Sequence, residues 1–203
     1  MSLANNLDNF ISEEDYLQGE LASEIKHEFI DGDVYAMTEA SRKHNTIATN
    51  ISSDLHQGLK NNKSSCTTFA ADMKVKINHN FFYPDVMVVC DPEDNENDYY
   101  QKSPVIIVEV LSKSTRKNDT SLKRMNYFDI PSLEEYVLVE QDICQVEVFR
   151  KSAHWQASFY FLGDEITFES IGITLSVEDI YYQIDTEEVR NYLMEKDLES
   201  KVK

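Results

Sequence analysis

Apolar residues along this chain fall into short runs with strand spacing, interrupted by stretches with helical spacing. The longest run, Pro104-Val105-Ile106-Ile107-Val108-Glu109-Val110-Leu111, is apolar at every position but one and rich in β-branched side chains, the pattern of a strand buried on both faces. A second run follows Tyr83-Pro84-Asp85 and predicts a strand over 84–90, with Pro84 at the first position, where its missing N–H is tolerated. Between residues 41 and 60, Ile47, Ile51, Leu55 and Leu59 recur every fourth residue, which predicts an amphipathic helix capped by Ser41. Asp31-Gly32 between apolar runs is a hairpin signal, because both turn positions want positive φ. Cys66 to Ile77 reads as one strand, with Met73, Val75 and Ile77 alternating against Asp72, Lys74 and Lys76.

The remaining segments complete the order. Ser12-Glu13-Glu14-Asp15 starts a short helix that runs towards Glu20. Residues 91–103 read as an exposed loop, and Ser112 to Lys117 as a polar turn. A helix follows over 119–129, capped by Asn118, stopped by Pro131, with Leu122, Met125 and Phe128 along one side. Residues 135–141 and 145–151 form a hairpin turning at Asp142; strands over 154–161 and 165–168 and a helix over 186–198 end the chain. This order predicts an α/β (α+β mixed) fold, a mixed central sheet flanked by helices. A single domain over 1–203 is expected, its core at about 10–182 and a helical tail at 183–203.

Composition narrows the setting. No apolar run approaches the roughly 20 residues of a membrane span, and MSLANNLDNF lacks the features of a secretory signal. Cys66, Cys90 and Cys144 have no metal-type spacing and read as reduced, buried thiols, so a cytoplasmic location is expected. The net charge of −18 argues against indiscriminate nucleic-acid binding. It is uneven, however: residues 1–40 sum to −9 and residues 41–76 to +4. Lys113, Arg116, Lys117, Lys123 and Arg124 cluster in sequence after the longest strand. They form either a basic patch beside that strand's end or ordinary solvated surface charge.

The one carboxylate in the 104–111 run sets the chemistry. An ionised Glu109 buried alone would cost several kcal/mol, so it needs a partner. An arginine is one option. Asp85, at the mouth of the neighbouring apolar run, is the other, unless it merely serves a turn. Two carboxylates on adjacent buried strands suit Mg²⁺ or Mn²⁺ and phosphoryl chemistry.

Pro84-Asp85 followed by an apolar strand bearing Glu109 resembles the PD-(D/E)xK nuclease superfamily, the restriction-endonuclease-like fold. More specifically, the chain is similar to the Uma-type restriction endonuclease family. That likeness rests on Glu28 to Tyr35, Tyr83 to Asp85, Glu109 to Arg116, Asp119 with Lys123 and Tyr127, Pro131 to Tyr136, and Val146 to Arg150. The resemblance implies a metal held by Asp85, Glu109 and the Val110 carbonyl, with DNA as the substrate. It also implies a lysine two residues after the glutamate, where this chain has Leu111.

Lys123 is the expected substitute, since Asp119, Lys123 and Tyr127 form an i, i+4, i+8 stripe; a plain Asp119–Lys123 ion pair is the alternative. Lys113 is the second choice. Glu28 would supply a further carboxylate, or else face solvent; His44 and Asp72 match family positions, and Arg116 and Lys117 would hold backbone phosphates. A homodimer is one option, because cutting two strands wants two sites and the 186–198 helix offers an apolar stripe; the alternative is that this stripe packs on its own core. Two rivals remain open: a catalytically degenerate binding or scaffold protein, and a Mg²⁺-dependent phosphoesterase acting on RNA or nucleotides.

Overall fold

A computed structural model describes residues 11–113, 116 and 119–202, with side chains at 95, 96 and 199–202 left aside. The order begins α1 (Glu13–Ala22), β1 (His27–Ile30), β2 (Asp33–Ala36), α2 (Arg42–Asn61), β3 (Thr67–Ala70), β4 (Lys74–Ile77), β5 (Asn80–Phe82) and β6 (Val86–Val89). It continues with β7 (Tyr100–Gln101), β8 (Pro104–Leu111), a π-helical turn (Asp119–Lys123) running into α3 (Arg124–Phe128), β9 (Glu135–Glu140), β10 (Gln145–Arg150) and β11 (Ala157–Phe161). It ends with β12 (Glu165–Phe168), β13 (Ile173–Ser176), α4 (Val177–Ile180) and α5 (Glu187–Val202).

A six-stranded mixed sheet, ordered β11-β10-β9-β8-β6-β3, carries the predicted central strand near its middle. β8 runs parallel to β9 and antiparallel to β6, with Val108 opposite Val137 on one side and Val86 on the other. Each face has its own apolar layer. Val86, Val88, Ile106, Val108 and Val110 pack under Ile47, Ile51, Leu55 and Leu59 of α2, and each such burial contributes about 1.5–3 kcal/mol. Met87, Val89, Ile107 and Leu111 lie on the other face with Tyr127, Tyr136 and Phe149. A five-stranded sheet, β2-β1-β5-β4-β7, adds Ile30, Val75, Ile77 and Phe82 to that second layer. Among the described residues, no helix is long and apolar enough to cross a membrane.

The hairpin and the long helix form where the pattern placed them. Asp31 (φ 53°) and Gly32 (φ 91°) make a two-residue turn that sets Ile30 opposite Asp33. The Ser41 side chain accepts the His44 backbone N–H and caps α2. The Ser12 side chain likewise caps α1, and the hairpin of β9 and β10 pairs as expected.

Several expectations are corrected. The strand expected over 66–77 is two strands in different sheets: β3 pairs with β6 and β4 with β5, and the chain breaks at Ala71, which has φ 55°. Between the strands expected over 66–77 and 84–90, Asn80–Phe82 forms β5. The loop at 91–103 holds a 3₁₀ turn and β7, because the buried Asp94 carboxylate accepts the Lys102 and Ser103 backbone N–H groups. β13 is an element the pattern missed. Asn118, the expected cap, lies outside the described residues.

The cysteine reading also changes. Cys66 and Cys90 are joined in a disulfide across the ends of β3 and β6, while Cys144 is a free buried thiol whose pKa burial pushes up to about 11. Titration of thiols in denaturant without reductant should therefore find one per chain, rising to three after reduction. Three thiols before reduction would show the bond to be absent.

Candidate active site

The two acids singled out in sequence are carried by neighbouring strands of the six-stranded sheet. Asp85 immediately precedes β6, and Glu109 alternates with Ile107 and Leu111 on the side of β8 that packs in the layer with Tyr127. Backbone pairing of β6 with β8 ends at Val86 opposite Val108, so Val110 faces β6 beyond its last partner. The Asp85 carboxylate fills that gap: its Oδ2 accepts the Val110 N–H at 2.7 Å. Asp85 is thus held at the strand mouth by a backbone group of the strand carrying Glu109.

Glu109 is 2% exposed. Its Oε1 accepts from Lys123 Nζ at 3.1 Å and from the Tyr127 hydroxyl at 2.7 Å. Lys123 Nζ also lies 2.9 Å from Glu28 Oε1 and 3.4 Å from Asp119 Oδ1. One buried ammonium therefore serves three carboxylates, with a fourth, Asp85, close enough to act on Glu109.

The helix that delivers Lys123 is built backwards from its apolar pattern. Leu122 and Met125 are 38% and 71% exposed, whereas Asp119, Lys123 and Tyr127 are buried. The expected apolar side is thus not the packed one, because the ammonium has to reach Glu28 and Glu109. A π-helical turn over Asp119–Lys123 carries this stripe, and such turns recur at functional sites. The Tyr136 hydroxyl donates to the Asp119 carbonyl at 3.0 Å, and Asn80 bonds Asn126 at 3.0 Å, tying helix to both sheets.

Electrostatics follow from this crowding. Burial, with Asp119, Asp85 and Glu28 nearby, raises the Glu109 pKa well above the ordinary carboxylate range against the pull of Lys123. Burial works against the Lys123 charge, yet Glu109, Glu28 and Asp119 override it and hold the ammonium protonated. His44 Nε2 lies 3.2 Å from Asp85 Oδ2. Burial favours its neutral ring, but Asp85, Asp119 and a hydrogen bond to the Val110 backbone move its pKa upward.

Other expected residues fall elsewhere. Asp72 is exposed and paired with Lys26, next to Ala71, whose N–H donates to the Asp85 carbonyl at 3.0 Å. Lys113 is exposed just past the end of β8. Arg116 is bonded to Glu140, the residue opposite Leu111 on β9, so it sits at the same sheet end but is already committed to a carboxylate. Lys117 lies outside the described residues. Leu111 is buried in the second layer, so the position where the family motif has lysine is a core position here.

A divalent cation fits this donor set. Among the described residues, no three His, Cys, Asp or Glu side chains form a ready-made cage. Mg²⁺ keeps several waters and binds through one or two carboxylates plus substrate phosphate. Asp85 Oδ1 and Glu109 Oε2 take no hydrogen bond among the described residues, leaving one oxygen of each acid available.

The chain belongs to the Uma2 family, described as "Putative restriction endonuclease", which matches residues 13–178. It is 33% identical over 175 residues to the uncharacterized protein slr1290 of Synechocystis sp., covering 84% of this chain and 91% of that one. It is 36% identical over 141 residues to the uncharacterized protein sll1609 of the same organism, covering 68% and 78%. In three dimensions it is similar to the crystal structure of a "putative nuclease belonging to DUF820" from Anabaena variabilis, with TM-score 0.70 at 16% identity, covering 84% of this chain and 97% of that one.

Proposed function

We propose that this protein is a divalent-metal-dependent endonuclease that hydrolyses DNA phosphodiester bonds with water. The observation that carries the reading is the charge imbalance around Lys123: Glu28 and Glu109 converge on one buried ammonium, with Asp85 alongside. A cluster with more buried carboxylates than cations is poised for a hard cation. Asp85, Glu109 and the Val110 carbonyl would hold Mg²⁺ or Mn²⁺. Bound there, the ion supplies phosphate polarisation and charge for the transition state.

The chain's own groups do the rest. Lys123 stays protonated, so it acts as a donor that orients the attacking water and faces developing negative charge, and not as a base. Tyr127 fixes the Glu109 carboxylate. Glu28 fixes the ammonium from the other side, and His44 holds Asp85. Arg116, once released from Glu140, and Lys117 would meet flanking phosphates.

The reading takes the chain as one domain acting in the cytoplasm, where the Cys66–Cys90 disulfide would be an exception to the usual rule. A homodimer would supply two cuts, with Leu193, Met194 and Leu198 of α5 as the exposed apolar face that closes it. Leu111 in the motif's lysine position favours a non-catalytic binder. Against that, Lys123 brings an ammonium to the same carboxylate from the following helix.

Supercoiled plasmid, single-stranded DNA and RNA incubated with Mg²⁺, Mn²⁺ or EDTA test the proposal. Metal-dependent nicking or linearisation of DNA is expected, and none in EDTA. No product from any substrate with either metal would leave the binder; RNA cleavage alone would favour the phosphoesterase.

A further inference from the structure

Tyr35 differs from the tyrosines packed around the site. Tyr16, Tyr83, Tyr127 and Tyr136 are buried, and each hydroxyl donates a hydrogen bond. Tyr35 is 51% exposed, with no hydrogen bond or ring contact among the described residues. Packing therefore gives no reason for an aromatic ring there.

Its position does. The β1–β2 register sets Tyr35 directly opposite Glu28, so both side chains leave the same face with Cβ atoms about 5 Å apart. Glu28 is the carboxylate that holds Lys123 Nζ at 2.9 Å. On β1 that face also carries Ile30, packed in the layer with Tyr127, while Phe29 packs on the opposite side with Tyr16 and Phe81. The ring thus stands at the rim of the carboxylate cluster, on a strand exposed at every position that ends the five-stranded sheet.

Charge says what the ring is for. The hairpin lies in the 1–40 segment, which sums to −9, so a nucleic-acid strand passing over it gains little from phosphate contacts. A base, by contrast, can stack on an exposed ring irrespective of sequence, provided it is out of the duplex. We propose that Tyr35 is the stacking platform for a nucleobase flanking the phosphodiester held over Glu109 and Asp85, and that the substrate is a single-stranded or locally opened nucleic acid. This rests on the nuclease reading of the site and adds its substrate class.

Anisotropy of a short fluorescein-labelled single-stranded DNA, titrated with the full chain in Ca²⁺, tests the platform. Tyr35→Ala should weaken binding about 5- to 100-fold, Tyr35→Phe should keep it, and a labelled duplex should bind less tightly than the single strand. Tyr182→Ala, which removes another tyrosine (63% exposed) outside the cluster, should change nothing. In a Trp155→Phe/Tyr35→Trp chain the single indole should be quenched when unlabelled strand saturates it. Equal affinities for wild type and Tyr35→Ala with an unquenched indole, in a protein that does cut DNA, overturn the platform alone. A wild-type protein that neither binds nor cuts any strand overturns the platform and the nuclease reading together.

Discussion

Asp85→Asn should lower Mg²⁺-dependent DNA cleavage by about three orders of magnitude or more while leaving the fold in place. The size follows from what a metal-held carboxylate supports: several kcal/mol of transition-state charge stabilisation, at about 1.4 kcal/mol per factor of ten. The fold should survive because an asparagine oxygen can still accept the Val110 N–H that Asp85 Oδ2 accepts at 2.7 Å. What is lost is one negative charge beside His44 and the oxygen open to a cation. Plasmid nicking gives the rate, calorimetric titration with Mn²⁺ the affinity, and thermal melting the stability. Wild-type cleavage by this variant would remove Asp85 from the mechanism. A large drop in melting temperature would instead make Asp85 a structural cap at the strand mouth.

The same pair of acids shows how far local pattern reaches. Glu109 announced itself as the only charge in an apolar run, and strand parity fixed which of its neighbours share its face. Whether Asp85 shares that face depends on Val86 meeting Val108, a register set by the whole sheet and by no local signal. An arginine on Glu109 would have spoken against the nuclease reading; the ammonium that reaches it is that of Lys123. Lys123 was legible because Asp119, Lys123 and Tyr127 form a polar stripe at helical spacing, and the structure buries that stripe in preference to Leu122 and Met125.

Where reading failed, the determining contact was long-range or the backbone cue was missing. Ala71 adopts φ 55° without being glycine, so nothing in the alternation from Cys66 to Ile77 marked the break that carries Asp72 to Lys26. The Cys66–Cys90 bond spans 24 residues and depends on Thr67 lying opposite Val89, a pairing that spacing alone does not reveal. Tyr35 lies in a segment that resembles the family, yet its place beside Glu28 needs the hairpin register that Asp31-Gly32 sets.

Lys123→Met should cost about 3–5 kcal/mol of stability at neutral pH, because it strands carboxylates that are out of water. The sign of the pH dependence separates this from simple loss of packing. Without the ammonium, Glu109 keeps the burial and the neighbouring acids that already raise its pKa, so its folded value moves further above its unfolded one. Such a group favours folding below its unfolded pKa and loses that contribution as pH rises through the folded value. The deficit of the variant, measured by urea unfolding, should therefore shrink as pH falls towards the ordinary carboxylate range, and Mn²⁺ should narrow it at neutral pH by binding the folded state. A deficit independent of both would mean that the acids are not sharing this lysine. In Mn²⁺-stabilised protein, removing the donor should still slow cleavage about 100- to 1000-fold. A binder with a degenerate site would retain its affinity for DNA under the same conditions, so Lys123 separates turnover from recognition even though it is also needed for the fold.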